Sequence, residues 1–85
     1  MKIEFIENTQ KIYNNIGLVY QKMNNPKEAA KYIHKSLQVA SVRKNIFTEY
    51  TALYSLAQLY QNDSFELAIA YLKKLDTVIQ NNKIL

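Results

Sequence analysis

The sequence contains no cysteine, one glycine and one proline in 85 residues, and it has no long hydrophobic run. Without cysteine, no disulfide can form and no thiolate can bind a metal. A single glycine and a single proline supply little material for turns, so we expect few and long secondary-structure elements. No segment approaches the roughly 20 apolar residues of a membrane-spanning helix, and the first residues, MKIEFIENTQ, do not resemble a signal peptide. We therefore expect a cytoplasmic protein.

The sequence does contain enough apolar material for one small packed domain. Hydrophobic residues make up 48% of the chain, which argues against disorder, and 85 residues are the length of a single domain. Residues 1–43 hold seven Lys/Arg and three acids, a charge of +4, whereas residues 44–85 hold four of each. This excess is small beside that of nucleic-acid-binding domains, so we interpret it as a solvated helix face.

The chain repeats itself once. A shift of 40 positions pairs Tyr13 with Leu53, Ile16 with Leu56, Gly17 with Ala57 and Tyr20 with Tyr60, and after the next turn a shift of 39 pairs Ala29 with Ala68 and Ile33 with Leu72. Apolar residues recur every three or four positions, which is the period of a helix rather than a strand. We predict two copies of one helix–turn–helix unit, at about residues 4–43 and 45–82, within a single domain.

Four helices follow from this repeat. We expect them at about residues 4–23, 26–43 and 46–61, with the fourth running from just after Asp63 to about Asn81. The ends carry polar residues suited to capping: Asn24, which can turn left-handed; Asn25 with Glu28 as a capping box around Pro26; Asn45 or Thr48 before the third helix; and Asp63 with Glu66 as a second box. In the first helix we expect the packing face to hold Ile12, Ile16, Val19, Tyr20 and Met23.

Gly17 lies in the interior of the first predicted helix, where glycine costs about 1 kcal/mol relative to alanine. A close approach between two helices offsets such a cost, because helix axes come near each other only where side chains are small. We therefore predict that Gly17 faces Ala29 across the turn and that Ala57 faces Ala68 in the second copy. Ile33 and Leu72 are expected to fill the wider part of each hairpin.

The pattern of these residues resembles the tetratricopeptide repeat over about residues 5–82. In the first copy the resemblance is carried by Tyr13, Ile16, Gly17, Tyr20, Ala29, Ile33 and Ser36, and in the weaker second copy by Leu53, Leu56, Ala57, Tyr60, Ala68, Leu72 and Leu75. The family's usual proline after the second helix is missing, and Ser41 stands where the first would be. The resemblance implies an all-α fold of two stacked hairpins.

The repeat length of about 40 residues exceeds the 34 of the basic repeat. The longer form is similar to the arrays of bacterial peptide-sensing (quorum-sensing) regulators and of some eukaryotic scaffolds. The resemblance to the bacterial proteins implies a cytoplasmic module that binds a short peptide along its concave face and regulates transcription.

No arrangement of residues is typical of an active site, a cofactor site or a metal site, so we expect no enzyme and no cofactor. The single histidine, His34, has no second ligand at metal spacing, and we expect it in solvent beside Lys31 and Lys35. The acidic residues form no pair that would suggest a buried site. No glycine-rich loop is present to bind phosphate.

The concave groove implied by the resemblance would be lined by residues one step off the packing face of the first and third helices. These are Lys11, Asn14, Asn15, Leu18, Gln21, Lys22, Thr51, Tyr54, Ser55, Gln58 and Gln61. Amide side chains suit peptide backbones because each offers both a donor and an acceptor. In the resembling families, asparagine at the Asn14 or Asn15 position often binds the peptide backbone. A merely solvated polar face is the alternative.

The second helix carries Lys27, Lys31 and Lys35 at every fourth position. We expect this lysine stripe on the outer, convex face, without the interleaved aromatic rings that stack on bases, and so as a solubility face. Tyr13, Tyr20 and Tyr60 are expected in the core.

The sequence thus favours a non-catalytic protein- or peptide-binding module, a fragment or small relative of a peptide-sensing transcriptional regulator. The alternatives are a self-assembly element and, more weakly, a nucleic-acid contact through the lysine stripe. An array of two repeats leaves apolar ends uncovered, so we also expect a homodimer with two-fold symmetry. The end residues are Ile3, Phe5 and Ile6 on one side and Leu72, Leu75, Val78, Ile79, Ile84 and Leu85 on the other.

Overall fold

A computed structural model describes residues 9–82, which fold into four α-helices and contain no strand. The helices are α1 (Thr9–Lys22), α2 (Pro26–Arg43), α3 (Ile46–Tyr60) and α4 (Phe65–Asn81). Each helix packs on the next along the chain, and α1 also touches α3. The all-α fold of two helical hairpins is confirmed, and the predicted ends of α2, α3 and α4 agree closely. The predicted start of the first helix, at about residue 4, lies outside the described residues.

The first turn ends α1 and begins α2 with two consecutive asparagines. Asn24 adopts the left-handed conformation, with φ of 61°, and the Asn25 N–H donates to the carbonyl of Tyr20 at 2.9 Å. The side chain of Asn25 then caps α2, because its Oδ1 accepts the N–H of Glu28 at 3.4 Å. Only this half of the predicted capping box forms, since the Asn25 N–H is already bonded to Tyr20. Both asparagine assignments are confirmed.

The connection between the hairpins repeats this device. Lys44 is left-handed, with φ of 58°, and the Asn45 N–H donates to the Ala40 carbonyl at 2.9 Å. Asn45 Oδ1 accepts the N–H of Thr48 at 3.1 Å. Asn45 is therefore the residue that caps α3, and Thr48 lies buried inside the first turn.

The prediction of an Asp63–Glu66 capping box was wrong. The residue that caps α4 is Ser64, whose Oγ accepts the N–H of Leu67 at 3.3 Å. The backbone turn places the first helical residue at Phe65, because the Ser64 N–H donates to the carbonyl of Tyr60 at 2.8 Å. Asp63 therefore lies one residue too early to cap the helix and remains exposed.

Gly17 marks the closest approach of α1 and α2. A Cβ atom built on Gly17 would lie 2.5 Å from Ile33 Cγ1 and 3.1 Å from the carbonyl oxygen of Ala29. Distances this short leave no room for a side chain. The prediction that Gly17 is a packing contact facing Ala29 is confirmed.

The hydrophobic core lies between the two hairpins rather than within either. Ile33 of α2 and Ala52 and Leu56 of α3 are fully buried and form one cluster. The partly buried residues packed against the cluster are Ala30, Leu37, Leu59, Tyr60 and Tyr71. Since these come from α2, α3 and α4, the cluster joins the hairpins into one body.

The outer helices expose residues that we expected to pack. On α1, Ile12, Val19 and Met23 are 51%, 57% and 64% exposed, and on α4 Leu72 is 46% exposed. The reason is positional. Helices α2 and α3 each have a neighbour on both sides, whereas α1 and α4 lie at the ends of a layer whose Cα atoms extend only 15 Å in the thin direction.

Stacked tyrosines recur in both hairpins. Tyr20 stacks on Tyr32, and Tyr60 stacks on Tyr71, each with 5.8 Å between ring centroids. The two pairs occupy positions related by the same shifts of 40 and 39 residues that relate the sequences. Tyr13, Tyr20 and Tyr60 were expected in the core, but all three are only half-buried. Of the three, Tyr60 packs against the core cluster, whereas Tyr13 and Tyr20 contact Tyr32.

Candidate functional site

The first part of the candidate groove lies where the beginning of α1 passes the beginning of α3. A cavity of about 250 Å³ opens there, lined by Lys11, Asn14, Asn15, Phe47, Thr48 and Thr51. Four of these residues, Lys11, Asn14, Asn15 and Thr51, were predicted from the sequence. The structure therefore brings together predicted residues that lie about 40 positions apart in the chain.

Asn14 lines this cavity and has an unused acceptor atom. The residue is half-buried, and its Oδ1 atom is buried without a hydrogen-bond partner among residues 9–82. A buried acceptor without a partner is costly, and a ligand N–H would relieve that cost. The neighbouring Asn15 and Lys11 are exposed and add an amide and a positive charge at the rim.

Thr51 and Phe47 modify the predicted picture. The Thr51 hydroxyl donates to the carbonyl of Thr48 at 3.0 Å, so its proton is already used and only its lone pairs remain for a ligand. Phe47 was not predicted as a site residue, yet its side chain is 72% exposed beside Asn14 and Asn15. The signal that could have found it is an aromatic residue in the first turn of α3, off the repeating packing face.

The second part of the groove lies towards the end of α3. Tyr54, Gln58 and Gln61 line a smaller cavity of about 180 Å³ together with residues that include Leu72 of α4. Gln58 also lines a cavity of about 260 Å³ with Gln21 of α1. Tyr54, Gln58, Gln61 and Gln21 were all predicted. They form a second group, separate from the group around Asn14.

Three predicted residues do not join these groups. Leu18 and Lys22 are exposed on α1 but line none of the three cavities. Ser55 is only 8% exposed, so the expectation that it lines the groove was wrong. Helix α3 has neighbours in α2, α4 and α1, which leaves a narrower exposed strip than a two-neighbour helix would have.

We expected His34 in open solvent, but the structure shows that it is not. Its Nε2 atom is 3.2 Å from the hydroxyl oxygen of Tyr71, and the imidazole is half-buried. Burial, and secondarily the positive charge of Lys74, lower the pKa of His34. Among residues 9–82, no group of three or more His, Asp or Glu side chains could hold a metal ion.

The lysine stripe has aromatic rings beneath it, contrary to the sequence-based expectation. Lys35 Nζ lies 5.5 Å from the ring centroid of Tyr13 and 5.4 Å from that of Tyr32, and Lys31 Nζ lies 5.7 Å from Tyr32. Tyr20 stacks on Tyr32 as well. These rings are thus engaged with lysines and with one another, so they do not form the open platform on which nucleic-acid bases stack.

None of the helices in the range 9–82 has the length and apolar character needed to cross a membrane. A search of the curated proteins and a search of the solved structures gave no match to this chain. The family model of the tetratricopeptide repeat matches residues 11–41. These residues comprise most of α1, the Asn24–Asn25 turn and most of α2, and the second hairpin lies outside the match. The match supports a tetratricopeptide repeat in the first hairpin, and such a repeat implies a protein–protein interaction module that is generally non-catalytic.

Proposed function

We propose that the groove between α1 and α3 binds an extended peptide segment of a partner protein. The observation that carries this proposal is the polar cavity at the beginning of the groove, lined by Lys11, Asn14 and Asn15, with the buried Asn14 Oδ1 atom unpartnered within residues 9–82. An extended peptide presents backbone N–H groups along its length, and one of them would donate to this oxygen. The exposed amide of Asn15 can both donate and accept beside it.

The charges of the groove favour a peptide with acidic residues. Lys11 lines the cavity and makes no ion pair among the described residues, and Lys22 is exposed at the other end of α1. No acidic residue lines the cavity around Asn14 to oppose Lys11. Exposed Phe47 adds apolar surface for one side chain of the peptide.

The length of the repeat supports a more specific form of the proposal. On this view the chain is a fragment or a small relative of a bacterial peptide-sensing transcriptional regulator and works in the cytoplasm. The support is the 40-residue spacing of the two sequence copies, which exceeds the basic repeat.

The test is to select peptides from a phage-displayed random library on the intact chain and to measure their binding to variants. Asn14→Ala with Asn15→Ala should weaken the binding of the selected peptides about fivefold or more, since each removed amide bond contributes about 0.5–1.5 kcal/mol. Asn81→Ala, at the exposed end of α4, is the matched control and should leave binding unchanged. If every selected peptide binds the double variant as tightly as the native chain, the groove around Asn14 is ruled out as the binding site.

Self-assembly is a second candidate, favoured by the apolar ends of the helix layer. The exposed apolar residues include Ile12, Leu18, Val19 and Met23 on α1 and Phe65, Leu67, Ile69, Leu72 and Ile79 on α4. Contiguous exposed apolar residues of this kind mark interfaces. We propose a homodimer with two-fold symmetry through one of these ends. The predicted end residues Ile3, Phe5, Ile6, Ile84 and Leu85 lie outside the described residues.

Light scattering tests the homodimer. The native chain should have the mass of two chains at micromolar concentration, and Val19→Asp or Ile69→Asp should return it to the mass of one. A monomer at every concentration would contradict the homodimer and leave other repeats, or another protein, as the partners of these ends.

A further inference from the structure

The edge of the layer that carries both hairpin turns contains two adjoining cavities outside the part of the groove around Asn14. One, of about 310 Å³, is lined by Pro26, Lys27, Ala30, Leu59, Tyr60 and Asp63. The other, of about 260 Å³, shares Pro26, Leu59 and Asp63 with it. Together they reach the size of small-ligand sites. We call this pair of cavities the turn cleft.

The two cavities differ in chemistry. The first has apolar surface from Pro26, Ala30, Leu59 and the ring of Tyr60, with Lys27 as its one cation. The second has no cation, and its remaining residues are four amides: Gln21, Asn24, Gln58 and Asn62. Asp63 is the only acid in either cavity.

The Asp63 carboxylate is available to a ligand. Asp63 is exposed, it makes no ion pair within residues 9–82, and Ser64 rather than Asp63 caps α4. Carboxylate and amide oxygens accept hydrogen bonds, and a guanidinium group offers five donors in a planar fork that pairs with a carboxylate through two bonds. The charge and hydrogen-bonding capacity of the second cavity therefore suit an arginine side chain.

We propose that the turn cleft binds a peptide segment in which a bulky apolar residue adjoins an arginine. The apolar side chain enters the first cavity against Leu59 and Tyr60, and the guanidinium group pairs with Asp63 in the second. Because the cavities share three lining residues, two neighbouring side chains of one peptide can reach both. The inference rests on the proposed function only in taking the ligand to be a peptide, since it uses neither Asn14 nor Asn15.

The experiment is a titration of the ¹⁵N-labelled chain, followed by NMR, with three capped dipeptides: acetyl-Phe-Arg-amide, acetyl-Phe-Glu-amide and acetyl-Ala-Arg-amide. Millimolar peptide is needed, because a ligand this small can form only a few contacts. With acetyl-Phe-Arg-amide, the backbone signals of Asn24, Leu59, Asn62 and Asp63 should move in a saturable way. The other two dipeptides should bind more weakly, since each lacks one of the two side chains.

Asp63→Asn keeps the shape of the side chain and removes its charge. This variant should weaken the binding of acetyl-Phe-Arg-amide roughly two- to fivefold, as expected for the loss of an exposed ion pair. Asp76→Asn, at an exposed position in the middle of α4, is the matched control and should bind as the native chain does. For each variant, a ¹⁵N spectrum that is unchanged away from the substituted residue verifies that the chain is folded.

Equal binding of the arginine and glutamate dipeptides, equal binding to Asp63→Asn, or no signal movement at all would overturn the proposal. Movement confined to Asn14, Asn15 and Thr51 would also overturn it, while supporting peptide binding in the α1–α3 groove. Conversely, if no library-selected peptide depends on Asn14 and Asn15, the groove proposal fails, but the NMR signals of Asn24, Leu59, Asn62 and Asp63 can still move with acetyl-Phe-Arg-amide. The two proposals can therefore fail separately.

Discussion

The imidazole of His34 in α2 and the phenol of Tyr71 in α4 join the second helices of the two hairpins. The two rings are tilted, with 5.8 Å between their centroids, and the hydroxyl oxygen lies 3.2 Å from Nε2. When His34 is neutral, its Nε2 atom can accept a hydrogen bond from the Tyr71 hydroxyl group. Tyr71 in turn stacks on Tyr60 of α3, so α2, α3 and α4 meet through these three side chains.

This contact predicts a dependence of stability on pH. The pKa of His34 is lowered in the folded chain by burial and by Lys74, so the unfolded chain, with a pKa near 6.5, binds the proton more readily. The stability that neutral His34 provides is therefore present above pH 6.5 and is lost as the pH falls through the lowered pKa of the folded state. Urea unfolding of the native chain and of His34→Gln gives the free energy of unfolding of each at pH 7.5 and at pH 5.5. Carboxylate groups titrate in both proteins, so the difference between their losses of stability reports on His34. We expect the native chain to lose more stability over this interval, and an equal loss would contradict the prediction.

The tight contact at Gly17 predicts a large penalty for any side chain there. Gly17→Ala places a methyl group 2.5 Å from Ile33 Cγ1, and the strain should exceed the roughly 1 kcal/mol that alanine gains in helix propensity. Gly17→Leu should cost more, about 3 kcal/mol or above, by forcing α1 away from α2. Thermal melting measures both variants. Val19→Leu, on the exposed side of the same helix, is the control and should change the melting temperature little. Equal melting temperatures for the three variants would contradict the close approach of α1 and α2 at Gly17.

The buried hydrogen bond of Ser36 should contribute to the stability of the chain. Ser36 is fully buried, and its Oγ donates to the carbonyl of Gln10 at 2.6 Å, a bond between α2 and the first turn of α1. Ser36→Ala should cost about 0.5–1.5 kcal/mol of unfolding free energy. The matched control is Ser41→Ala, which removes an exposed hydrogen bond to Glu49 and should cost less than about 0.5 kcal/mol. A smaller loss at Ser36 than at Ser41 would contradict the assignment.

The start of α4 allows a direct comparison of two adjacent residues. Ser64→Ala removes the side chain that accepts the Leu67 N–H and should destabilise the chain by about 1 kcal/mol. Asp63→Ala leaves this bond in place and should change the unfolding free energy by only a few tenths of a kcal/mol. Denaturant unfolding of the two variants distinguishes them, and the reverse order would restore Asp63 as the cap.

Local signals in the sequence predicted most of the fold. Asn24, Asn25 and Asn45 act within one turn of the chain, so their neighbours in sequence are sufficient to assign them. Gly17 was predictable because the second copy also has a small residue, Ala57, at the matching position. The sequence-based assignment of Asp63 as the cap of α4 was wrong, because Asp63 and Ser64 are both good capping residues and only the path of the backbone selects Ser64.

The burial and the long-range contacts of a side chain depend on where its helix lies in the layer, and local sequence signals did not predict them. The periodic apolar residues of α1 look like a packing face, yet Val19 and Met23 are exposed because no helix lies beyond α1 in the described chain. Ser55 shares its sequence register with groove residues and is buried by its neighbours. The contact between His34 and Tyr71 spans 37 positions, and nothing near either residue in the sequence indicates the other.

The position of the core at the junction of the hairpins has a consequence for how the chain unfolds. Ile33 belongs to the first hairpin, whereas Ala52 and Leu56 belong to the second, so separating the hairpins exposes the whole cluster to water. Stacked repeats usually gain part of their stability from such nearest-neighbour interfaces. Here neither hairpin retains this core alone. The chain should therefore melt in one cooperative transition, and a destabilising change in either half should lower the melting temperature of both.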